Sequence, residues 1–302
     1  MLQFLIDTLL RASDLALVAL GLSMVYGLVK FPNIAHVQYA MLGAYLSFAL
    51  RAAGLPLVAA IAVACVLTGA LTLLLHLLVF RRLLKSGPAI TMIGSLAVSM
   101  LVVAVMQGFA GSFPRMFNLP VSAPWQFGGA MLTPLQATTL GVSLAVLAAF
   151  CGLLFYTRMG RALRALSSNA PLAAASGLNA EGLTRGVNFA SGALAALGGS
   201  MLALSSGAHI NLGHDMLLPV FAAAILGGLG NPMGAVAGAV LIALTETAVT
   251  NINFGPLLQL LGGQNAMVFM PVSYIGAASF LMLLLALLFK PYGLFDREVR
   301  RV

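Results

Sequence analysis

The sequence predicts an all-α, polytopic helical membrane protein: one transmembrane domain over residues 1–302, with about 8–9 transmembrane or half-spanning helices. Three observations carry this. Hydrophobic residues make up 61% of the chain and charged residues 7%, with a mean hydropathy of +1.04, whereas a soluble domain has roughly 25% charged residues. Apolar runs recur along the whole length, separated only by short segments that hold Gly, Pro, Asn and the few charges. The runs are continuously apolar over roughly 15 to 26 residues, which fits helices and not the alternating strands of about 10 residues that build barrels.

Taken in order, the first run spans 12–29. It follows MLQFLIDTLLRASD, which lacks a basic flank and carries Asp7 and Asp14, so it reads as a retained helix and not as a cleaved signal peptide. Further runs lie near 36–50, 55–80, 89–108 and 136–157, then near 187–207, 217–229, 233–250 and 271–289. The two cysteines, Cys65 and Cys151, sit inside apolar runs without a second ligand at metal spacing, so neither a disulfide framework nor a metal site is expected.

The net charge of +8 falls between spans and not on one soluble face, so no nucleic-acid partner is expected. Arg81, Arg82 and Lys85 form one basic group. Arg158, Arg161, Arg164 and Arg185 form a second, and Lys290, Arg297, Arg300 and Arg301 a third. The positive-inside rule puts all three in the cytoplasm, including the C-terminus. Segment 109–135, with one Arg, Trp125 and four prolines, reads as an outer-face loop, and polar segment 251–270 as another. Nine crossings would put the first residues outside; one re-entrant segment at 36–50 or 217–229 would reverse that.

Two polar interruptions separate half-length apolar pieces: Lys30-Phe31-Pro32-Asn33-Ile34-Ala35-His36 in the first half, and Gly227-Gly228-Leu229-Gly230-Asn231-Pro232 in the second. One reading makes them paired broken helices of a transporter with inverted repeats, with Asn33, His36, Gln38 and Asn231 offering polar groups along a translocation pathway. The other makes them loop reversals between adjacent spans, with His36 capping the helix that follows. Small residues crowd Ala190–Ser200 and Gly234–Gly238, where helix backbones can approach closely.

Glu246 is the acidic residue that falls well within an apolar run. It is either a contact for a proton or a substrate amine, or a group hydrogen-bonded to Thr245, Thr247 or a neighbouring helix. His209 and His214, with Asp215, are read as a solvated outer-loop surface. The stretch 158–185 is the most informative segment outside the spans. Arg161 and Arg164 share a helix face, Asn169 can cap the next turn and Gly177 can end it, giving a short helical hairpin suited to docking another protein. No Gly-rich phosphate loop contains Lys30, Lys85 or Lys290, so any ATP dependence rests on partner subunits. Neither paired acids nor a nucleophile with its base is apparent, and no enzymatic activity or cofactor is expected.

Four ordered motifs resemble the LivH-type permeases of branched-chain amino acid ABC importers, over nearly the whole chain. They are Gly21-Leu22-Ser23-Met24-Val25-Tyr26-Gly27-Leu28 leading to Pro32–His36 and Met41–Tyr45; Gly160-Arg161-Ala162-Leu163-Arg164-Ala165; Gly227–Ala235; and Lys290-Pro291-Tyr292-Gly293-Leu294-Phe295. The resemblance implies a permease of a bacterial inner membrane that imports branched-chain amino acids or a related small solute. It implies a second homologous permease, two cytoplasmic ATP-binding subunits and a periplasmic solute-binding protein as partners. It also implies that the ATPases dock on the segment matching Gly160, Arg161, Arg164, Ala165, Asn169 and Gly177. The chain departs from the family in having Val37 and Gln38 where a small residue and an acid are usual, and Asn169 where Asp is common. A secondary transporter or channel for a small polar solute is the alternative. It would usually need a coupling carboxylate, for which Glu246 is the available group.

Overall fold

The computed structural model describes residues 1–120, 122–253, 269–271, 274–290 and 293–294. Part of the expected outer segment 251–270 lies outside the described residues, as do Pro291, Tyr292, Phe295 and the terminal Arg297, Arg300 and Arg301.

The chain is built from α1 (Leu2–Val29), α2 (His36–Ala52), α3 (Leu57–Leu75) and α4 (Pro88–Ala110), then a small hairpin of β1 (Trp125–Phe127) and β2 (Ala130–Leu132). There follow α5 (Pro134–Tyr156), α6 (Arg158–Ser168), α7 (Ala170–Ala175), α8 (Ala180–Ser206), α9 (Leu212–Asp215), α10 (Leu217–Gly227), α11 (Pro232–Asn251) and α12 (Ile275–Phe289). Helix α3 runs on through a π turn, His76–Phe80, to Ser86. Every expected span has its helix. The largest correction is α1, which starts ten residues before its apolar run because Asp7, Arg11 and Asp14 are carried inside the helix. Among the described residues six helices are long and apolar enough to cross a membrane; α2, the α9–α10 piece and α12 are shorter.

The short helices have a physical explanation. Helix α1 ends at Val29, where Lys30 adopts the left-handed conformation (φ 57°) and its N–H closes on the Tyr26 carbonyl. The chain then turns back into the bundle. The His36 ring reaches the Val18 carbonyl, with Nε2 at 3.1 Å, and Val18 lies about 16 Å from the end of α1 at 1.5 Å per residue. Helix α2 therefore starts halfway along α1. The second half repeats this in reverse. Beyond α8, residues 207–211 turn back, and Gly213 of α9 lies against Val37 and Gln38 of α2. The two half-length helices thus begin side by side in the interior.

The packing follows the same inversion. Helix α1 lies along α11 as α8 lies along α3; α2 packs on α8 as α10 packs on α1; and α2 touches α3 and α4 as α10 touches α11 and α12. This relates α1, α2, α3 and α4 to α8, α10, α11 and α12 as inverted repeats, with α5 to α7 as the link. The equivalent breaks are Lys30–Ala35 and 207–211, so pairing Lys30–His36 with Gly227–Pro232 is corrected. Residues 228–231 form a tight reversal with Gly228 and Gly230 at φ 95° and 92°, and their counterpart is the reversal at 53–56, where Gly54 has φ 99°. Each reversal ends on a proline at the helix start, Pro56 as the N-cap of α3 and Pro232 as the first residue of α11. The sequence hid the second re-entry because Gly207–Asn211 lacks the proline that marks the first.

Basic residues collect at one end of the bundle. There Lys30 donates to the Ser167 carbonyl (3.0 Å), and Glu181 pairs with Arg81 (2.9 Å) and Arg185 (2.6 Å). At the other end Gln3 accepts from the Met131 N–H of the hairpin (2.8 Å), and Arg115 bridges to Ala208. The first residues therefore lie opposite the basic end, as nine crossings require.

Small residues let the central helices meet. A Cβ on Gly43 of α2 would overlap the backbone of Ala196, and one on Gly199 of α8 would overlap that of Ala40. Gly43→Leu is therefore expected to destabilise the bundle by about 1–3 kcal/mol or more, as overpacking does. Gly141→Leu, at a glycine with nothing within 4 Å, should leave it unchanged. Thermal unfolding in detergent compares them, and equal midpoints would refute the packing assignment.

Candidate functional site

Four polar constellations stand out: one at each re-entry and one at each end of the bundle. The first re-entry lies in the middle. The Ile34 N–H donates to Ser95 Oγ of α4 (3.0 Å), and the His36 and Gln38 N–H groups close onto the Asn33 and Ala35 carbonyls (3.1 Å each). These bonds satisfy part of the exposed backbone at a helix start inside apolar surroundings. Asn33, His36 and Gln38 are all buried, at 2%, 0% and 2% exposure. Because Val18 offers a carbonyl, His36 Nε2 carries the proton and Nδ1 is left as an acceptor. His36 Nδ1, Asn33 Oδ1 and Gln38 Oε1 find no hydrogen-bond partner among the described residues. Buried acceptors of this kind call for ordered water or a passing polar solute.

At the end away from the basic residues lies a buried ion pair. Glu246 of α11 is 2% exposed and accepts from Arg11 Nε of α1 at 2.7 Å and from Ser279 Oγ of α12 at 2.5 Å. The carboxylate thus joins three helices. The sequence pointed to Glu246 but not to Arg11, which lies before the apolar run used to place the first span. Asp14, one turn further along α1, is also half-buried within the bundle.

The expected outer-loop group proves to belong to the second re-entry. The His209 ring lies 3.1 Å from the Gly207 carbonyl and 3.2 Å from Asp215 Oδ2. His209 thereby holds residues 207–211 against α9, while His214 and Asp215 are exposed, as expected of a solvated surface.

The basic end carries α6 and α7. Thr157 caps α6 through the Gly160 N–H (3.2 Å), and Asn169 ends α6 and caps α7 through the Leu172 N–H (3.1 Å). Gly177 follows α7 at φ 83°. Helix α6 is strongly two-faced: Gly160, Leu163 and Leu166 are buried, while Arg158, Arg161, Arg164 and Ala165 are exposed. Gly160 sits so close to the Leu153 and Leu154 carbonyls that a side chain there would overlap them. Arg164 donates to the Leu154 carbonyl and its guanidinium lies 5.8 Å from the centre of the Phe155 ring. The inner face of α6 is thus fixed to the bundle while the outer face is free.

Between α6 and the bundle lies a cavity of ≈ 450 Å³. It is bounded by the C-terminal turns of α1 and α5, by α6, and by the Gly230–Met233 turn. Asn231 caps α11 there, accepting from the Gly234 N–H at 3.2 Å. Of the expected pathway residues, the structure therefore groups Asn33, His36 and Gln38 in the middle. It sets Asn231 at the basic end and Glu246 at the other.

A family described as the permease component of branched-chain amino acid transport systems matches residues 4–287. The chain is 29% identical to the high-affinity branched-chain amino acid permease LivH of Escherichia coli K12, covering 100% of this chain and 97% of that one. It is 27% identical to BraD of Pseudomonas aeruginosa, covering 100% and 98%. A probable LivH of Methanocaldococcus jannaschii is 30% identical over 78% of this chain and 77% of its own. Among solved structures, PsaBC from Streptococcus pneumoniae in complex with Fab covers 94% of this chain and 91% of its own at 17% identity and a TM-score of 0.47.

The ion pair yields a direct expectation. Glu246→Ala leaves Arg11 unpaired in the bundle and should cost about 3–5 kcal/mol of stability. The double replacement Arg11→Met with Glu246→Met removes both charges and should recover most of the loss. A double-mutant cycle read by denaturant unfolding in micelles measures this, and additive single losses would show that the pair is not coupled.

Proposed function

Because the chain belongs to the family of branched-chain amino acid transport permease components, we propose that it is the membrane subunit of an ABC importer for branched-chain amino acids or a related small solute. A second homologous permease completes the pathway, a periplasmic solute-binding protein delivers the solute, and two cytoplasmic ATP-binding subunits supply the energy. The membrane is a bacterial inner membrane.

Orientation follows from charge. Lys30, Arg81, Arg82, Lys85, Arg158, Arg161, Arg164 and Arg185 belong to the basic end, while Arg51 and Arg115 lie toward the other. Translocation retains Lys and Arg on the cytoplasmic side. On this reading the basic end faces the cytoplasm, and so does Lys290, since Leu294 donates to the Leu226 carbonyl (2.8 Å) beside the 228–231 turn; the C-terminus is proposed to lie on the same side.

The observation that carries the reading is the α6–α7 hairpin. Its buried face is held by Gly160, Leu163 and the Arg164–Leu154 bond, and Lys30 reaches it from the first re-entry. A force applied to the exposed Arg161 and Ala165 face passes through Ser167 and Lys30 to the end of α1. That is the connection a power stroke delivered from outside the chain needs. Gly160 and Arg164 hold the segment, Asn169 and Gly177 shape its turn, and Arg161 with Ala165 offers the docking face. Along the pathway, Asn33, His36 and Gln38 supply the polar groups of the re-entry, and Asn231 those of the cytoplasmic turn. Glu246 acts as a clamp between helices and not as a contact for solute.

Reconstitution with and without the ATP-binding subunits tests the whole reading: uptake that persists in their absence overturns it. Arg161→Glu, on the exposed face, is expected to weaken capture of the ATP-binding subunits about tenfold, the scale of an interface arginine, while insertion into the membrane stays normal. Capture at the wild-type level would remove the docking assignment.

A further inference from the structure

The ≈ 450 Å³ cavity behind α6 belongs to neither the docking face nor the re-entry. Its walls are mostly apolar: Met24 and Leu28 of α1, Leu154 of α5, Leu163 of α6, Val187 of α8 and Met233 of α11, with the Phe155 ring beside Arg164. Ligand pockets are commonly about this size, mostly apolar, with a few polar groups that fix orientation. Here the polar groups are Arg164, Ser167 and the Asn231 turn. Arg164 spends one N–H on the Leu154 carbonyl, and a guanidinium has five. Among the described residues no carboxylate pairs with it.

The helix ends add a second polarity. Helix α1 arrives at the cavity with its C-terminal turn, at Gly27 and Leu28, where carbonyls carry partial negative charge. Helix α11 leaves it with its N-terminal turn, at Asn231, Pro232 and Met233, where the partial charge is positive. One cavity thus offers a guanidinium and a helix N-terminus for an anion, a helix C-terminus for a cation, and an aliphatic wall.

We propose that this cavity is a binding site for an aliphatic α-amino acid on the cytoplasmic side. The carboxylate pairs with Arg164, the ammonium group faces the last turn of α1, and the branched side chain lies among Met24, Leu154, Val187 and Met233. The proposal rests on the reading that the solute is such an amino acid. An anionic lipid would share the aliphatic and acidic chemistry but lacks the α-ammonium group.

The test is scintillation-proximity binding of tritiated leucine to the full chain in nanodiscs, without partner subunits. Saturable binding is expected. Unlabelled 4-methylpentanoate, which is leucine without its ammonium group, and leucinamide, without its carboxylate, should compete at least about tenfold more weakly, as the loss of a charge-assisted bond implies. Arg164→Gln and the cavity-filling Met233→Phe should each weaken binding by about tenfold or more, with folding verified by gel filtration. Nanodiscs made with and without phosphatidylglycerol distinguish the lipid: leucine binding that appears only without it, or competition by 4-methylpentanoate equal to leucine, overturns the proposal. So does an absence of leucine binding, or binding unaffected by both substitutions. Leucine uptake by the assembled importer is measured separately, so uptake without binding here rejects this site alone, whereas absent uptake rejects the transport reading.

Discussion

Starting a helix in the interior of a membrane bundle is the constraint on which most of this structure depends. The first N–H groups of α2 have no helical partner, and hydrocarbon supplies none. Protein must surround that start. Ser95 of α4, the carbonyls of Asn33 and Ala35, and the tight approach of α8 do so. The approach in turn needs Gly43 and Gly199, since larger side chains would hold α2 and α8 apart and leave the re-entry open to lipid. The dense small residues of 190–200 therefore serve the break as much as the helix pair itself.

The same constraint explains the inverted arrangement. Two half-length helices that begin back to back, at Val37 and Gln38 against Gly213, shelter each other's first turns. Each then needs a full-length neighbour, supplied by α1 for α10 and by α8 for α2. Helices α4 and α5 lie at its periphery, with 22% of the apolar window of each buried, against 78% for α1.

Much of this was legible in the sequence, and the failures have physical causes. Apolar length located each helix because the bilayer imposes it. The cap at Asn169 was readable because capping chemistry is local. The start of α1 was not, because Asp7, Arg11 and Asp14 look like the end of a membrane segment until Glu246, 235 residues away, supplies the partner that lets Arg11 enter it. The second re-entry was missed for a related reason. Gly207–Asn211 has the polarity of an ordinary outer loop, and only contact with α2 marks it as turning inward. Long-range pairing decides such segments, and spacing along the chain does not encode it.

The two ends of the α1–α11 pair are built differently, and this bears on how a permease of this family can move. At the end away from the basic residues, Glu246 holds Arg11 and Ser279 together, so α1, α11 and α12 are tied by charge in a medium that penalises separating it. At the basic end the same two helices line one side of a cavity; there α1 meets α6 through Lys30 to Ser167, and Arg164 ties α6 to Leu154 of α5. Displacing α6 there disturbs exposed and part-buried hydrogen bonds to backbone carbonyls, whereas opening the other end would strand a buried carboxylate. The lower resistance lies on the side where the ATP-binding subunits are proposed to act, so a push on α6 is spent on the ends of α1 and α11 before it reaches the clamp.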